Sequence, residues 1–419
     1  TMSTLLKSAT IIDETSPFHY QQKDILIDKG QIVKIENHIE EKKEYKVVSL
    51  ENLHISSGWF DSSVCFGEPG FEERETISNG LNTAAKSGFT AVAVNPNTQP
   101  VIDNKSAVEF LKNKSKGFAT SLYPIAALSQ GCQGKELSEM YDMQQSGAIA
   151  FGDYNKAVSN DNLMKIALLY AQNFDGLVLS FPKNNAIASE GIANEGINST
   201  KLGLKGIPAL AEHIQIARDL FILEYTGGRL HVPTISSAKS VALIKDAKKK
   251  GLQVSCSVSA HHLTLTDDEL LGFDGNSKVS PPLRTLADCK ALIKGVKEGV
   301  IDMITSDHNP IDIEDKKVEF SAAKDGTIGL ESLFGSVNTV IPLEKTIACL
   351  TTQAKIIFKL TCNSIAVGQT ADLSLFNPET TSIFSKENVY STSKNSIFFG
   401  KKMKGVVYGI FAKNQLVLK

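Results

Sequence analysis

The chain has 419 residues, 42% of them hydrophobic, 21% charged and 7% aromatic, a balance that excludes a disordered or low-complexity protein and leaves ample apolar side chain for a large core. The formal net charge of −2 gives nucleic acid and anionic membrane surfaces no electrostatic claim on it. No apolar run approaches the roughly 20 residues of a membrane span, residues 2–7 lack the layout of a secretory signal, and the six cysteines (65, 132, 256, 289, 349 and 362) form no C-x-x-C pair, so a cytoplasmic protein with reduced, mostly buried thiols is expected.

Residues 5–12, 22–27, 31–35 and 46–50 read as short strands, several bounded by Gly, Asp or Asn, and their close spacing predicts a small antiparallel sheet. From residue 54 to 366 apolar β-type runs alternate with amphipathic stretches: strand 88–94, helix 106–112, strand 122–127, then 176–179 with helix 209–221. The pattern continues with 230–231 and helix 237–250, 253–257 and helix 286–298, and a last run at 303–306. Such alternation predicts a parallel sheet, and at this length a closed (β/α)8 barrel of the TIM type. An open doubly wound sheet is the alternative, and no G-x-G-x-x-G phosphate loop supports it. After 366 the β-rich pattern returns at 372–376, 396–399, 404–408 and 409–417. The expected organisation is an α/β protein in which 1–53 plus 367–419 form one small β-sandwich domain and 54–366 form the barrel. His19, His38 and His54 are expected at surface or turn positions and His213 on a solvent face of its helix. Lys248-Lys-Lys250 reads as a solvated helix end, where cations complement the dipole.

Several segments carry a resemblance. Asp61-Ser-Ser-Val-Cys65-Phe-Gly67-Glu-Pro-Gly70 is similar to the first-strand signature D-x-H-x-H-x-R-E-P-G of dihydroorotases, members of the amidohydrolase superfamily. Asn95-Pro-Asn97-Thr98 resembles the P-N-T that ends the family's second strand. Asn194-Glu-Gly196, Leu202–Pro208, Ala260-His-His262 through Asp267, Pro281-Pro-Leu-Arg284, Ser306-Asp307-His-Asn-Pro310 and Gly326–Glu331 follow in family order and spacing. The matches cover nearly the whole chain and look most like the dihydroorotases that work with aspartate transcarbamoylase.

The resemblance implies a cyclic-amide hydrolase whose zinc-bound hydroxide attacks the substrate, zinc lowering the pKa of its water to about 7. Residue by residue, however, the family's ligand histidines fall on Ser63 and Cys65 in the first strand, on Ser180 after the apolar run 177–179, and on Thr234 in His231-Val-Pro-Thr234-Ile-Ser236. Serine is a poor neutral ligand for zinc, whereas a cysteine thiolate would be a good one. The two ligand acids match Asp153 and Asp307, the latter also the family's general base. The arginine that grips the substrate carboxylate matches Gly67, and a glycine cannot replace a bidentate guanidinium. Asn97 and His262 match family substrate contacts, while Ser280 and Ile311 stand where the family has Asn and His.

These matches predict a chain of pyrimidine biosynthesis that keeps the family frame without its catalysis, with no cofactor expected. It would act as a structural or regulatory partner of aspartate transcarbamoylase and as a homo-oligomer. One alternative is an active hydrolase with an altered or mononuclear zinc site built from Asp153, Asp307 and Cys65. Another is a module that binds a small ligand without turnover. Without a metal between them, one of Asp153 and Asp307 is expected to take up a proton at raised pKa or to gain a lysine, arginine or water partner.

Overall fold

In the computed structural model, which describes residues 2–419, the N-terminal β segments become β1 (Ser3–Ile11), β2 (Gln22–Asp28), β3 (Gln31–Glu36), β4 (Tyr45–Val48) and β5 (His54–Ser57). β1 pairs antiparallel with β2, β2 antiparallel with β3, and β4 and β5 both join β1 in parallel. The inward side chains Leu6, Ile11, Ile25, Ile27 and Ile55 form the core of this sheet.

The barrel strands are β6 (Trp59–Val64), β7 (Phe89–Val94), β8 (Ser121–Ala126), β9 (Ala150–Phe151), β10 (Leu177–Leu179) and, after a small parallel pair β11 (Ala193–Asn194) and β12 (Gly206–Ile207), β13 (Arg229–Val232), β14 (Val254–Ser259) and β15 (Met303–Thr305). Each barrel strand pairs in parallel with the next. β6 and β7 are buried at every position, because a parallel strand covered on both faces has no polar side to offer water. The ring closes where the segment after β15 meets the end of β6: Val64 bridges His308, and the Cys65 amide donates to the His308 carbonyl at 2.6 Å. The barrel helices start at the residues that spacing suggests, with Asn104, Asn160, Ser237 and Thr285 accepting hydrogen bonds from first-turn amides.

The chain then returns to the first sheet as β16 (Leu373–Ile383), β17 (Lys402–Ala412) and β18 (Gln415–Leu418). β16 pairs antiparallel with β5, so both ends of the chain share one eight-stranded sheet. Trp59 is the seam between sheet and barrel. Its buried ring stacks at 5.0 Å on Phe334 and lies 5.3 Å from Phe376 of β16, and truncating it to alanine would cost about 3–5 kcal/mol.

Four sequence expectations are corrected. Segment 396–399 is not a strand: Asn395 and the Ile397 amide hydrogen-bond to the barrel-mouth loops at Asn309 and Thr327, which leaves its backbone no strand partner. The stretch 404–417 breaks at the Lys413–Asn414 turn, where φ is positive, and not at Gly409, which stays inside β17 against the Val417 carbonyl. His213 is half-buried rather than fully solvent-facing; its Nε2 lies 2.6 Å from the Ser237 hydroxyl that caps the next helix. Lys248 is not a free helix-end cation, since its ammonium is held by Asp302 at 2.7 Å and the Val300 carbonyl at 2.9 Å.

The outer face of helix Leu210–Thr226 carries an apolar stripe. Leu210, Ile214, Phe221 and Tyr225 recur at helical spacing, with Phe221 74% and Tyr225 80% exposed. The adjoining helix Asp161–Ala171 adds exposed Ile166, Leu169 and Tyr170 beside it.

Candidate functional site at the barrel mouth

Every candidate residue sits just beyond or within the C-terminal end of a barrel strand, the face where loops of such barrels converge. Ser63 lies in β6 and Cys65 directly after it; Asn97 follows β7, Asp153 follows β9, Ser180 follows β10 and Thr234 follows β13. His262 follows β14 and Asp307 follows β15.

Three of these residues meet. The Ser63 hydroxyl donates to the Asp307 carboxyl at 2.8 Å and accepts from the Asn95 amide at 3.0 Å. The same Asn95 amide stands 3.6 Å from the Cys65 thiol, and Tyr154 sets its hydroxyl against both Cys65 and Asp307. Burial drives the charges out of this cluster. It raises the Asp307 carboxyl to about 7, with Asp61 adding to the rise and the Ser63 and Tyr154 hydrogen bonds opposing it. Burial, and then the Asp307 charge, push the Cys65 thiol up to about 12. The thiolate that would make Cys65 a strong metal ligand is therefore disfavoured.

Asp153, Ser180 and His262 are each turned to a partner of their own. Asp153 accepts the Leu128 and Ser129 amides at 2.9 and 3.1 Å and the Ser129 hydroxyl, which fasten it to the loop after β8. The Ser180 hydroxyl donates to Asp219 at 2.5 Å, and Asp219 in turn holds Arg218 at 2.7 Å. Thr234 is buried with φ at +50°, a conformation that burdens a β-branched residue. His262 donates from Nε2 to the Pro281 carbonyl at 2.9 Å, and its Nδ1 faces the Ser259 hydroxyl that caps its helix. Asn97 lies beside Cys65, with its buried carbonyl oxygen unpartnered. Both acids are pushed up by burial, Asp307 to about 7 and Asp153 in the same direction, with Asp61 and not Asp153 adding to the rise at Asp307. Hydroxyls and backbone amides, however, take the place of the expected lysine, arginine or water.

Four features of the mouth escaped the sequence reading. Asp61, fully buried, accepts the Thr305 hydroxyl at 2.5 Å and the Ser306 and Ser63 amides at 3.0 and 3.1 Å, clasping the first barrel strand to the last. Its leading place in the first-strand signature was the available signal. Tyr154, next to Asp153 in sequence, fills space among the candidate positions; only an aromatic beside a buried acid hinted at it. A third feature is a polar web behind the mouth: buried Arg284 reaches Asn194 at 2.9 Å and Ser236 at 3.1 Å, while Glu212 binds the Ser236 amide and hydroxyl. The fourth is the packing at Gly67. A β-carbon built there would lie 1.8 Å from the Phe71 carbonyl oxygen, and the Gly67 amide is already bound to the Glu75 carbonyl at 2.9 Å. The loop has folded onto the place a side chain would occupy.

What remains open is small. Tyr154, His261, Ser280, Asp307 and Asn309 border a crevice with about 10 Å³ of room for water, roughly one molecule's worth. Sites that hold small molecules commonly span about 300–1,000 Å³. Among the described residues, no group of three or more His, Cys, Asp or Glu side chains is placed to hold a metal ion.

A family model described as dihydro-orotase-like matches residues 54–240. The dihydroorotase of Pelotomaculum thermopropionicum is 37% identical over 428 residues, covering 100% of this chain and 99% of its own. The dihydroorotase of Carboxydothermus hydrogenoformans is 38% identical, with 99% of each chain covered. The chain belongs to the dihydroorotase family. Among solved structures, the L-hydantoinase (dihydropyrimidinase) from Arthrobacter aurescens superposes with a TM-score of 0.84 at 19% identity, covering 100% of this chain and 98% of that one. The dihydropyrimidinase from Brevibacillus agri gives 0.84 at 20% identity, over 100% and 95%. At that identity the hydantoinases speak to the fold, an amidohydrolase barrel with an added β sheet. This member of the dihydroorotase family therefore keeps the family's length and architecture while its mouth carries hydroxyls, a thiol and a tyrosine.

Proposed function

We propose that this dihydroorotase-family chain serves pyrimidine biosynthesis without hydrolysing dihydroorotate, as a structural or regulatory partner of aspartate transcarbamoylase. The observation that carries the reading is Gly67. Its packing against Phe71 leaves no room for the arginine that the family resemblance places there, so loss of the substrate grip is built into the backbone and not only into one side chain.

The donor set supports the same conclusion. Four positions that the resemblance assigns to zinc-binding histidines hold Ser63, Cys65, Ser180 and Thr234. The Ser63 and Ser180 hydroxyls are spent on Asp307 and Asp219, Cys65 is held as a neutral thiol, and Asp153 is fastened to the loop after β8. A tetrahedral zinc centre needs at least three converging ligands, and this set does not fit one. Asp307, as base, borders a crevice with too little room to admit a cyclic amide.

The partner role is supported by what is kept. The Asn194–Arg284 and Glu212–Ser236 bonds preserve the loops around an idle mouth, and the stripe on helix Leu210–Thr226 offers an apolar face to a neighbouring subunit. Gel filtration of the chain with the aspartate transcarbamoylase of its own organism is expected to give one mixed peak. Phe221→Ser with Tyr225→Ser should return two. Separate peaks for the unmodified pair would remove the partnership, and near-stoichiometric zinc in protein purified without chelator would remove the inactivity.

A further inference from the structure

A second gathering of charge lies at the opposite end of the barrel. There the first residues of β7 and β8 face the terminal sheet across a cavity of about 210 Å³. Thr90, Ser121 and Tyr123 line it from the strands; Lys355, Asp372 and Lys413 line it from above. Lys355 comes from helix Thr352–Ile357 with its side chain only 3% exposed. Its charged neighbour Asp372 stands 3.6 Å away, too far for a hydrogen bond. The buried ammonium beside the cavity thus has Asp372 within ion-pair distance but gives it no hydrogen bond.

More positive charge gathers around it. Lys413, in the turn between β17 and β18, reaches across to the Phe118 carbonyl at 3.1 Å. Lys112 comes from the neighbouring helix, bonds the Leu122 carbonyl at 3.1 Å and lies 5.0 Å from the Tyr123 ring centre. Lys112 is held below the usual lysine range, first by burial and then by repulsion from Lys413. Lys355 and Lys413 therefore share one carboxylate, Asp372, with Lys112 a further ammonium beside Lys413. Holding like charges together in a half-buried place is unfavourable unless something negative sits between them. The Thr90 hydroxyl is buried with no hydrogen-bond partner of its own, and it adds an unused polar group to the same wall.

We propose that this cavity is a binding site for a small oxyanion, a phosphate or a short carboxylic acid, held by Lys355 and Lys413. The ammoniums would give charge-assisted hydrogen bonds, and the hydroxyls of Ser121 and Tyr123 would orient the oxygens. Asp372 would keep its place opposite Lys355, which leaves the cavity net positive and favours an anion over a zwitterion. The site lies at the far end of the barrel from the mouth, so its occupancy is independent of the reading given for the mouth.

The test is isothermal titration of the full chain with inorganic phosphate and, separately, with malonate, against sodium chloride at matched ionic strength. Saturable binding near one equivalent is expected for at least one oxyanion, weakened about tenfold or more in Lys413→Gln. Lys413 is exposed in a turn, so that variant should fold; Lys355→Met is the second variant and should abolish binding. Which oxyanion binds tells phosphate from carboxylate. Heats no different from chloride for both ions, or unchanged affinity in folded Lys413→Gln and Lys355→Met, would overturn the site.

Discussion

Asp61 and Ser63 stand two residues apart on the same strand, yet they have had opposite fates. Asp61 still does mechanical work: hydrogen bonds from the Thr305 hydroxyl and the Ser306 amide tie β6 to the end of β15 and close the barrel, and a third from the Ser63 amide braces its own strand. Ser63 occupies a position where the family resemblance expects a metal ligand, and it has become one link in a hydrogen-bonded chain of Asn95, Ser63 and Asp307. The contrast recurs around the mouth. Residues that hold loops, such as Glu212, Arg284 and Asn194, keep full sets of partners. Positions expected to hold metal have turned to other partners, Ser63 and Ser180 to carboxylates and Asp153 to a hydroxyl and backbone amides. The difference teaches that the frame and the chemistry of one barrel can be read, and altered, separately.

The sharpest way to break this comparison is to attack the frame residue. Asp61→Ala strands three buried donors, and denaturant unfolding should show a loss of at least about 3 kcal/mol. A loss comparable to that of an exposed substitution would mean the clasp is not what closes the barrel. Next is the loop that covers the arginine position. Gly67→Ala places a methyl 1.8 Å from the Phe71 carbonyl oxygen, and the same measurement should register about 1–3 kcal/mol as the backbone yields. Full stability in that variant would mean the loop opens easily and could admit a larger side chain.

A subtler probe uses pH. His231, next to the mouth at the end of β13, is buried and held down at about 3, first by burial and then by Lys248. Its unfolded value is about 6.5. The unfolded chain therefore binds a proton in this window that the folded chain refuses, so this residue's stabilising contribution is complete above about pH 6.5 and is lost as pH falls towards 3. His231→Asn should flatten the acid limb of the stability profile by on the order of 1–4 kcal/mol while leaving its slope above pH 7 unchanged. An unaltered acid limb would show that His231 accepts a proton in the folded chain.

The sequence made much of this legible, and the limits have physical causes. Barrel strands such as 88–94 were readable because strands covered on both faces are apolar throughout. The joining of the two chain ends was readable because β-type segments recur at both. Short strands hid better: β9 has only two residues, and its identity rests on neighbours it meets in the ring. At the mouth, the absent histidines could be seen by residue type alone. Tyr154 filling the cluster and Phe71 crowding Gly67 could not, because both depend on how loops far apart in sequence fold over the barrel end. His262 shows the same limit from the other side, since a residue aligned with a substrate contact is spent on capping and on the Pro281 carbonyl.

The central claim, a dihydroorotase frame without the chemistry, is tested most directly by dihydroorotate hydrolysis. The full chain, supplied with zinc, would be assayed beside the Pelotomaculum thermopropionicum dihydroorotase under the same conditions. No turnover above the buffer baseline is expected for this chain while the relative is active. Zinc-dependent hydrolysis by this chain, abolished by Asp307→Asn, would contradict it.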